Sequence, residues 1–360
     1  MNTSRLKILQ AKIQNPILIK KKENLFYLTG RSFDIRAEEY LLVSPRRKNA
    51  DKGRTNTDVV GFGSGLEAMH WIKNSDSLKN IGKYLKKQKR LDLEWGFNYG
   101  EGEYIKSKLK DLGLKIEVKP ELSPVDQMRV IKEPMEIALV KKSMQIVEAV
   151  FKLVRKEIKK PGMTEEGLAK FIESAGLKLG AEDVSFPAIV ASGANAAIPH
   201  HVPSKKKLKT GESIILDFGF KYKNYCSDFT RTVFLKTAPA KLADAYNQVE
   251  EAYNQAINFT KSGTLADKVY DLSVKVLAEK DLDKYFIHSL GHGTGLEIHE
   301  LPNISPKSKS IMQNNMVFSI EPGVYLPSCG GIRIEDLVYL KQGNVEKFIN
   351  VPTKLKDNII

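Results

Sequence analysis

An ionised carboxylate inside an apolar strand is a charge the fold must answer, and this chain has four such acids in two pairs. The run Glu212-Ser213-Ile214-Ile215-Leu216-Asp217-Phe218-Gly219-Phe220 reads as one strand whose interior acid, Asp217, belongs at a buried position. Asp228 follows in the strand Asn224 to Leu235. A two-residue turn at Tyr222-Lys223 sets it directly opposite Asp217 on one sheet face, with Cβ atoms about 4.5–5.5 Å apart. The arrangement recurs in Val317-Phe318-Ser319-Ile320-Glu321-Pro322-Gly323 and Gly331-Ile332-Arg333-Ile334-Glu335-Asp336. Glu321 and Glu335 have equal parity, so a returning hairpin places both on one face. Like charges so close repel unless a hard divalent cation sits between them and takes their oxygens. For the aspartate pair alone, one side chain turned to solvent is the simpler reading; the second pair favours the cation.

The periodicity divides the chain. Residues 1–125 alternate short strands and helices: strands at Pro16 to Ile19, Tyr40 to Val43 and Lys115 to Val118, a turn at Asn24 to Gly30 leading into a strand, and a helix over 101–113. This is an α/β domain, with the basic stretch Ser44 to Asp58 as a loop or exposed edge. After a linker at 126–133, residues 134–360 change to long amphipathic helices. These cover Met135 to Lys159, Thr164 to Lys178, Pro239 to Thr260 and Leu265 to Lys280, with strand-rich segments at Ser185 to Ser192, Glu212 to Leu235 and Met316 to Leu340. That mixture is α+β. A length of 360 residues suits two cores.

The net charge of +14 raises nucleic acid as a partner, but 46 lysines against 11 arginines, scattered in short runs, describe a solvated surface. No apolar run is long enough to span a bilayer, and the first residues lack a secretory pattern, so neither nucleic acid nor membrane is expected as a partner and the cytoplasm is the expected location. Cys226 and Cys329 are too few for a disulfide framework and lack CxxC spacing.

Five of six histidines, His200, His201, His288, His292 and His299, fall within a hundred residues, and His292 is flanked by Gly291 and Gly293. No phosphate-binding loop, HExxH helix or GxSxG elbow accompanies them. The ordered set Asp217, Asp228, His292, Glu321 and Glu335, in the settings Ile215 to Gly219, Ser227 to Thr232, Gly291-His292-Gly293, Glu321-Pro322-Gly323 and Arg333 to Asp336, resembles the pita-bread metallopeptidases of family M24. Asn24 to Gly30 is similar to the N-terminal domain shared by creatinase, prolidase and aminopeptidase P. Ala191 to Asn195 with Pro199-His200 through Ser204 is similar to the proline-peptidase branch.

The resemblance implies a creatinase/prolidase-like α/β N-terminal domain and a pita-bread α+β catalytic domain. It implies two divalent ions, Mn2+ first with Co2+ or Zn2+ possible: Asp217 on one, His292 and Glu321 on the other, Asp228 and Glu335 bridging. It implies His200, His299 and His288 as catalytic histidines at the substrate. Arg333 and Arg231, beside ligands on their strands, are read as partners that hold the ligand carboxylates. The activity implied is release of the N-terminal residue from peptides with proline second, a water held between the ions attacking the scissile carbonyl. The Xaa-Pro dipeptidase is the alternative, a metal-free binding protein on the same fold a remote one, and a homodimer the expected assembly.

Overall fold

The computed structural model describes residues 3–30, 40–45, 69–72, 85–95, 97–121 and 123–360. Contacts divide the chain into two compact units, Met1–Arg129 and Val130–Ile360.

The first unit holds helix α1 (Thr3–Lys12), strand β1 (Ile17–Ile19), α2 (Lys22–Thr29), β2 (Tyr40–Val43), β3 (Met69–Ile72), β4 (Arg90–Glu94), α3 (Tyr99–Asp111), β5 (Glu117–Glu121) and α4 (Pro124–Arg129). Its sheet runs β3-β2-β1-β4-β5, antiparallel on the β2–β3 side and parallel on the β4–β5 side. Leu18, Leu42, Leu91, Leu93 and Val118 of the sheet pack with Ile105 and Leu109 of α3. That helix starts where Asn98 and Glu101 cap each other reciprocally at 2.9 Å. The Asn24 to Gly30 segment is not a turn into a strand: it lies in α2, and Gly30, at φ 72°, is its left-handed C-cap. Burial of Leu25, Leu28 and Thr29 at helical spacing decided against the strand-like run of aromatic and apolar residues. The expected strand before Pro120 runs through it instead, as β5. Most of Ser44 to Asp58 lies outside the described residues.

The second unit opens with α5 (Pro134–Glu157), started by Pro134 and by the Glu136 side chain accepting the Glu133 N–H at 2.8 Å, and α6 (Glu165–Lys178), capped by Thr164. Strands β6 (Asp183–Val184), β9 (Phe220–Tyr222) and β10 (Tyr225–Cys226) form a small sheet. The main sheet contains β7 (Ile189–Ser192), β8 (Ser213–Asp217), β11 (Phe229–Phe234), β12 (Gly291–Gly293), β13 (Glu300–Ile304), β14 (Val317–Ile320), β17 (Glu335–Lys341) and β18 (Asn344–Lys347). Its order is β13-β12-β14-β17-β11-β8-β7, antiparallel throughout, with β18 paired to β17. Strands β15 (Gly323–Leu326) and β16 (Gly330–Arg333) make a separate hairpin. Helices α7 (Ala240–Phe259) and α8 (Ala266–Ala278) share one core with the sheet, in which Tyr246, Val249, Tyr253, Val269 and Val276 join Phe318, Ile320, Val338 and Leu340.

Strand parity now sorts the chemistry. Phe318, Ile320, Val338 and Leu340 face the helices, so Ser319, Glu335 and Leu337 point to the opposite face. Thr230 lies opposite both Asp217 on β8 and Glu335 on β17, forming a row across the sheet, and Glu321 leaves β14 level with Glu335. Two details differ from the sequence reading. The turn is Lys223-Asn224, both at positive φ (48° and 68°), so Asp217 opposes Thr230 rather than Asp228. A turn at Tyr222-Lys223 would force positive φ on an aromatic residue, whereas asparagine tolerates it; the resulting slip of two residues preserves the face. Glu321 and Glu335 meet because β14 and β17 pair, not through a hairpin; the β15–β16 hairpin between them belongs to a different sheet.

Candidate active site

Five predicted residues converge on the face of that sheet turned away from the helices. One ligand atom each from Asp228, His292 and Glu335 lie within 4.8 Å of one another, and all three residues are buried. His292 Nε2 stands 3.4 Å from Glu321 Oε1 and 3.5 Å from Asp228 Oδ2, longer than the about 2.7–2.9 Å of a tight charge-assisted bond. Its Nδ1 faces the Gly293 carbonyl at 3.0 Å, which fixes the proton there and leaves the Nε2 lone pair toward the acids. Burial, above all, holds the ring below its ordinary pKa, so it is neutral near pH 7. Asp217 Oδ2 accepts from Arg333 at 2.6 Å, and Glu335 Oε2 accepts from Thr230 Oγ1 at 2.6 Å. Among the described residues, Asp217 Oδ1 and Glu335 Oε1 are buried and find no donor.

The electrostatics are those of a site built for positive charge. Burial raises the carboxyl pKa values of Asp228 and Glu335 well above the ordinary range, and the neighbouring acids add to it: Asp217 and Glu321 for Asp228; Asp228, Glu321 and Asp217 for Glu335. Glu321 is raised by burial and by Asp217. Arg333 is one cation against four acids. Two unpartnered buried oxygens, crowded carboxylates and one presented imidazole nitrogen fit divalent ions held by oxygen and nitrogen.

The supporting contacts are specific. Ser319 Oγ accepts the His292 backbone N–H at 3.0 Å and donates to Glu321 Oε1 at 3.1 Å, locking two candidate ligands together. Gly291 and Gly293 are demanded by space: a Cβ on either would stand 2.0 Å from a carbonyl oxygen, of Ser319 and Leu301 respectively. Arg333 is fully buried; burial works against its charge, but Tyr325, Asp217, Glu321 and Glu335 raise its pKa further. It also donates to Tyr325 Oη at 2.6 Å, and that hydroxyl contacts His288 Nε2 at 2.9 Å.

Arg231 is different. It lies on the helix-facing side of β11, fully buried, and its guanidinium reaches Asp336 Oδ1 at 2.7 Å and the Glu335 carbonyl at 2.6 Å. It therefore holds the backbone at Glu335 and no candidate ligand's carboxylate, because a one-residue step along a strand changes face.

His299 is brought to the site: its partly exposed ring meets the His292 ring edge-on at 4.4 Å between centroids, and desolvation, with the neighbouring His292 opposing a second positive charge, lowers its pKa. His288 is lowered mainly by burial and pinned between Tyr325 and the Ser289 carbonyl. His200 is exposed, on the segment after the 3-10 turn Gly193–Ala197, where the preceding Pro199 carbonyl accepts from Arg333 at 3.4 Å. His201 bonds Glu165 at 2.9 Å, a structural placement. Thr230, Ser319 and Tyr325 went unassigned in the sequence reading. Thr230 and Ser319 each stand two residues from a candidate ligand, Asp228 and Glu321, a parity signal that was legible; nothing in the sequence marks Tyr325.

The metallopeptidase family M24 description matches residues 138–342. An Xaa-Pro dipeptidase of Pyrococcus horikoshii is 30% identical over 358 residues, 99% of each chain. Among solved structures, an Xaa-Pro dipeptidase from Bacillus anthracis superposes with a TM-score of 0.85 at 27% identity, covering 98% of this chain and 99% of that one. An X-Pro aminopeptidase from Thermotoga maritima does so with a TM-score of 0.76 at 29% identity, covering 94% and 96%. The expected fold class holds: the chain has mixed α/β content and the pita-bread fold. On the family match and on similarity along its whole length, the chain belongs to metallopeptidase family M24.

Proposed function

We propose that this metallopeptidase is a dinuclear exopeptidase that cleaves the Xaa-Pro bond of peptides with proline second. The observation that carries the reading is the convergence of Asp228, His292 and Glu335 beside Asp217 and Glu321, with two carboxylate oxygens left without donors. Asp217, Asp228, His292, Glu321 and Glu335 are the residues that would hold two divalent ions, Mn2+ foremost. When bound, the ions supply Lewis acidity toward the carbonyl and a water acidic enough to ionise near neutral pH. The chain's own contribution is placement. Arg333 aims Asp217, Thr230 fixes one oxygen of Glu335 and leaves the other open, and Ser319 sets the spacing of His292 and Glu321. Neutral His299 beside His292 can accept or donate a hydrogen bond at the reacting carbonyl, and His288 and His200 are proposed to bind the substrate.

Proline specificity rests on the relatives whose names state it. An X-Pro bond is a tertiary amide without an N–H, so a peptidase that grips that N–H handles it poorly and a dedicated site has a use. The sequence reading put the aminopeptidase first; the similarity along nearly the full length to dipeptidases now puts Xaa-Pro dipeptides first, with longer peptides second. A homodimer and a cytoplasmic location belong to the same reading. Hydrolysis of Ala-Pro against Ala-Pro-Ala with Mn2+ added decides the length preference: a dipeptidase turns over only the first. Efficient release of alanine from the tripeptide returns the assignment to aminopeptidase.

A further inference from the structure

Glu165 is an acid the proposed chemistry does not use, and among the described residues it is the most heavily hydrogen-bonded carboxylate outside the site. It sits at the first position of α6 with a fully buried side chain. Its Oε1 accepts from the Ser192 N–H (2.8 Å), Ser192 Oγ (2.7 Å) and Asn195 Nδ2 (3.1 Å). Its Oε2 faces Ser204 Oγ (2.7 Å), the Ser204 N–H (3.2 Å), Asn195 Nδ2 (3.1 Å) and His201 Nε2 (2.9 Å). The helix start joins in: the Glu165 and Glu166 N–H groups donate to the Lys206 and Ser204 carbonyls at 3.0 and 2.9 Å. Lys206 Nζ donates to Ser192 Oγ at 2.7 Å, one hydroxyl away from the carboxylate. Burial opposes ionisation of Glu165, yet the bonds from Ser204, Ser192, His201 and Asn195 outweigh it and hold the carboxyl at about 2.

These donors come from both ends of one segment. Ser192 and Asn195 stand before His200; His201, Ser204 and Lys206 stand after it. Past Ala196, which is buried against Ala191, Ile215 and Tyr325, the stretch has little apolar anchorage, since Ile198 is 52% and Val202 79% exposed. A segment that buries so little apolar surface takes its position from polar bonds, and a site works only when its groups are held within about 0.5 Å. We propose that Glu165 is a positioning residue for the reaction, a buried carboxylate hub that fixes the His200 segment against the substrate site. This rests on the substrate role given to His200 above.

The test is a double-mutant cycle of Glu165→Gln and Ser204→Ala, each in the native and the His200→Ala background, reading kcat and KM for Ala-Pro with Mn2+. Each should lower kcat/KM by about tenfold or more in the native background and less than about twofold once His200 is gone. Equal losses in both backgrounds would overturn the proposal, because a merely structural residue acts independently of His200. Ser204→Ala removes one donor and leaves the charge in place, so it carries the cycle if Glu165→Gln does not fold. A second readout needs no substrate: tryptic nicking after Lys205, Lys206 and Lys207, mapped by mass, should accelerate about tenfold or more in the variants. Unchanged nicking would sink the hub even if proline-second peptides prove to be the wrong substrates, whereas accelerated nicking without peptide hydrolysis would keep the hub and refute only the substrate reading.

Discussion

Arg231→Met removes a guanidinium that makes five hydrogen bonds with no exposed surface. They run to the carbonyls of Thr230 (2.9 Å), Glu335 (2.6 Å), Val351 (3.0 Å) and Pro352 (3.2 Å), and to Asp336 Oδ1 (2.7 Å). Asp336, 1% exposed, would keep the Tyr253 hydroxyl and Lys347 at 3.3 Å. Breaking one partner from a buried pair costs about 3–5 kcal/mol, and each buried carbonyl left orphaned about 1–3 kcal/mol more where water cannot reach it. A loss of about 5 kcal/mol or more follows, comparable with the whole stability of many domains at about 5–15 kcal/mol. Arg231→Lys keeps the charge but offers three donors for five and should lose about 2–3 kcal/mol. Adding Asp336→Asn to Arg231→Met removes the stranded charge and should recover about 2 kcal/mol. Trp71 and Trp95 both lie in the first unit, so fluorescence alone is the wrong probe. Hydrogen exchange of peptides from β11 and β17, with urea titration by circular dichroism, reads the right place. Protection of Arg231→Met within about 1 kcal/mol of the native chain, or a double variant no better than the single, would refute the reasoning.

Two further outcomes follow from the same contacts. With its folded carboxyl at about 2 and an ordinary value of 4.5, Glu165 contributes about 3 kcal/mol that is present above pH 4.5 and lost as pH falls toward 2; Glu165→Gln should flatten the acid limb of a stability–pH curve, and an unchanged limb would contradict it. Gly291→Ala forces a Cβ to within 2.0 Å of the Ser319 oxygen; it should cost about 1–3 kcal/mol in urea titration and weaken Mn2+ binding in calorimetry by displacing His292.

Much of this was legible because strand parity is robust. The face shared by Asp217 and Asp228 survived a misplaced turn, since a two-residue slip changes partners and not sides. The amphipathic helices were readable for a related reason: apolar spacing is set by burial. What failed was decided by tertiary context. The Asn24 to Gly30 run has the composition of a strand and became a helix through burial on one side. Arg231 looked equivalent to Arg333 by adjacency to a ligand, but Arg333 reaches Asp217 from the β15–β16 hairpin whereas Arg231 points to the helix-facing side of β11. The Glu165 hub draws on β7, a 3-10 turn and a loop up to 39 residues away, and no local pattern marks such a convergence.

In the proposed function, five side chains hold two ions and these drive Xaa-Pro cleavage. The most direct measurement is the rate of Ala-Pro hydrolysis against equivalents of Mn2+ returned to chelator-treated protein, for the native chain and for Asp228→Asn. The native rate should rise from near zero to a plateau at about two equivalents, while the folded variant stays at least about a thousandfold lower at saturating metal. Hydrolysis that persists without metal, or an Asp228→Asn variant that turns over at near-native rate, would contradict the account.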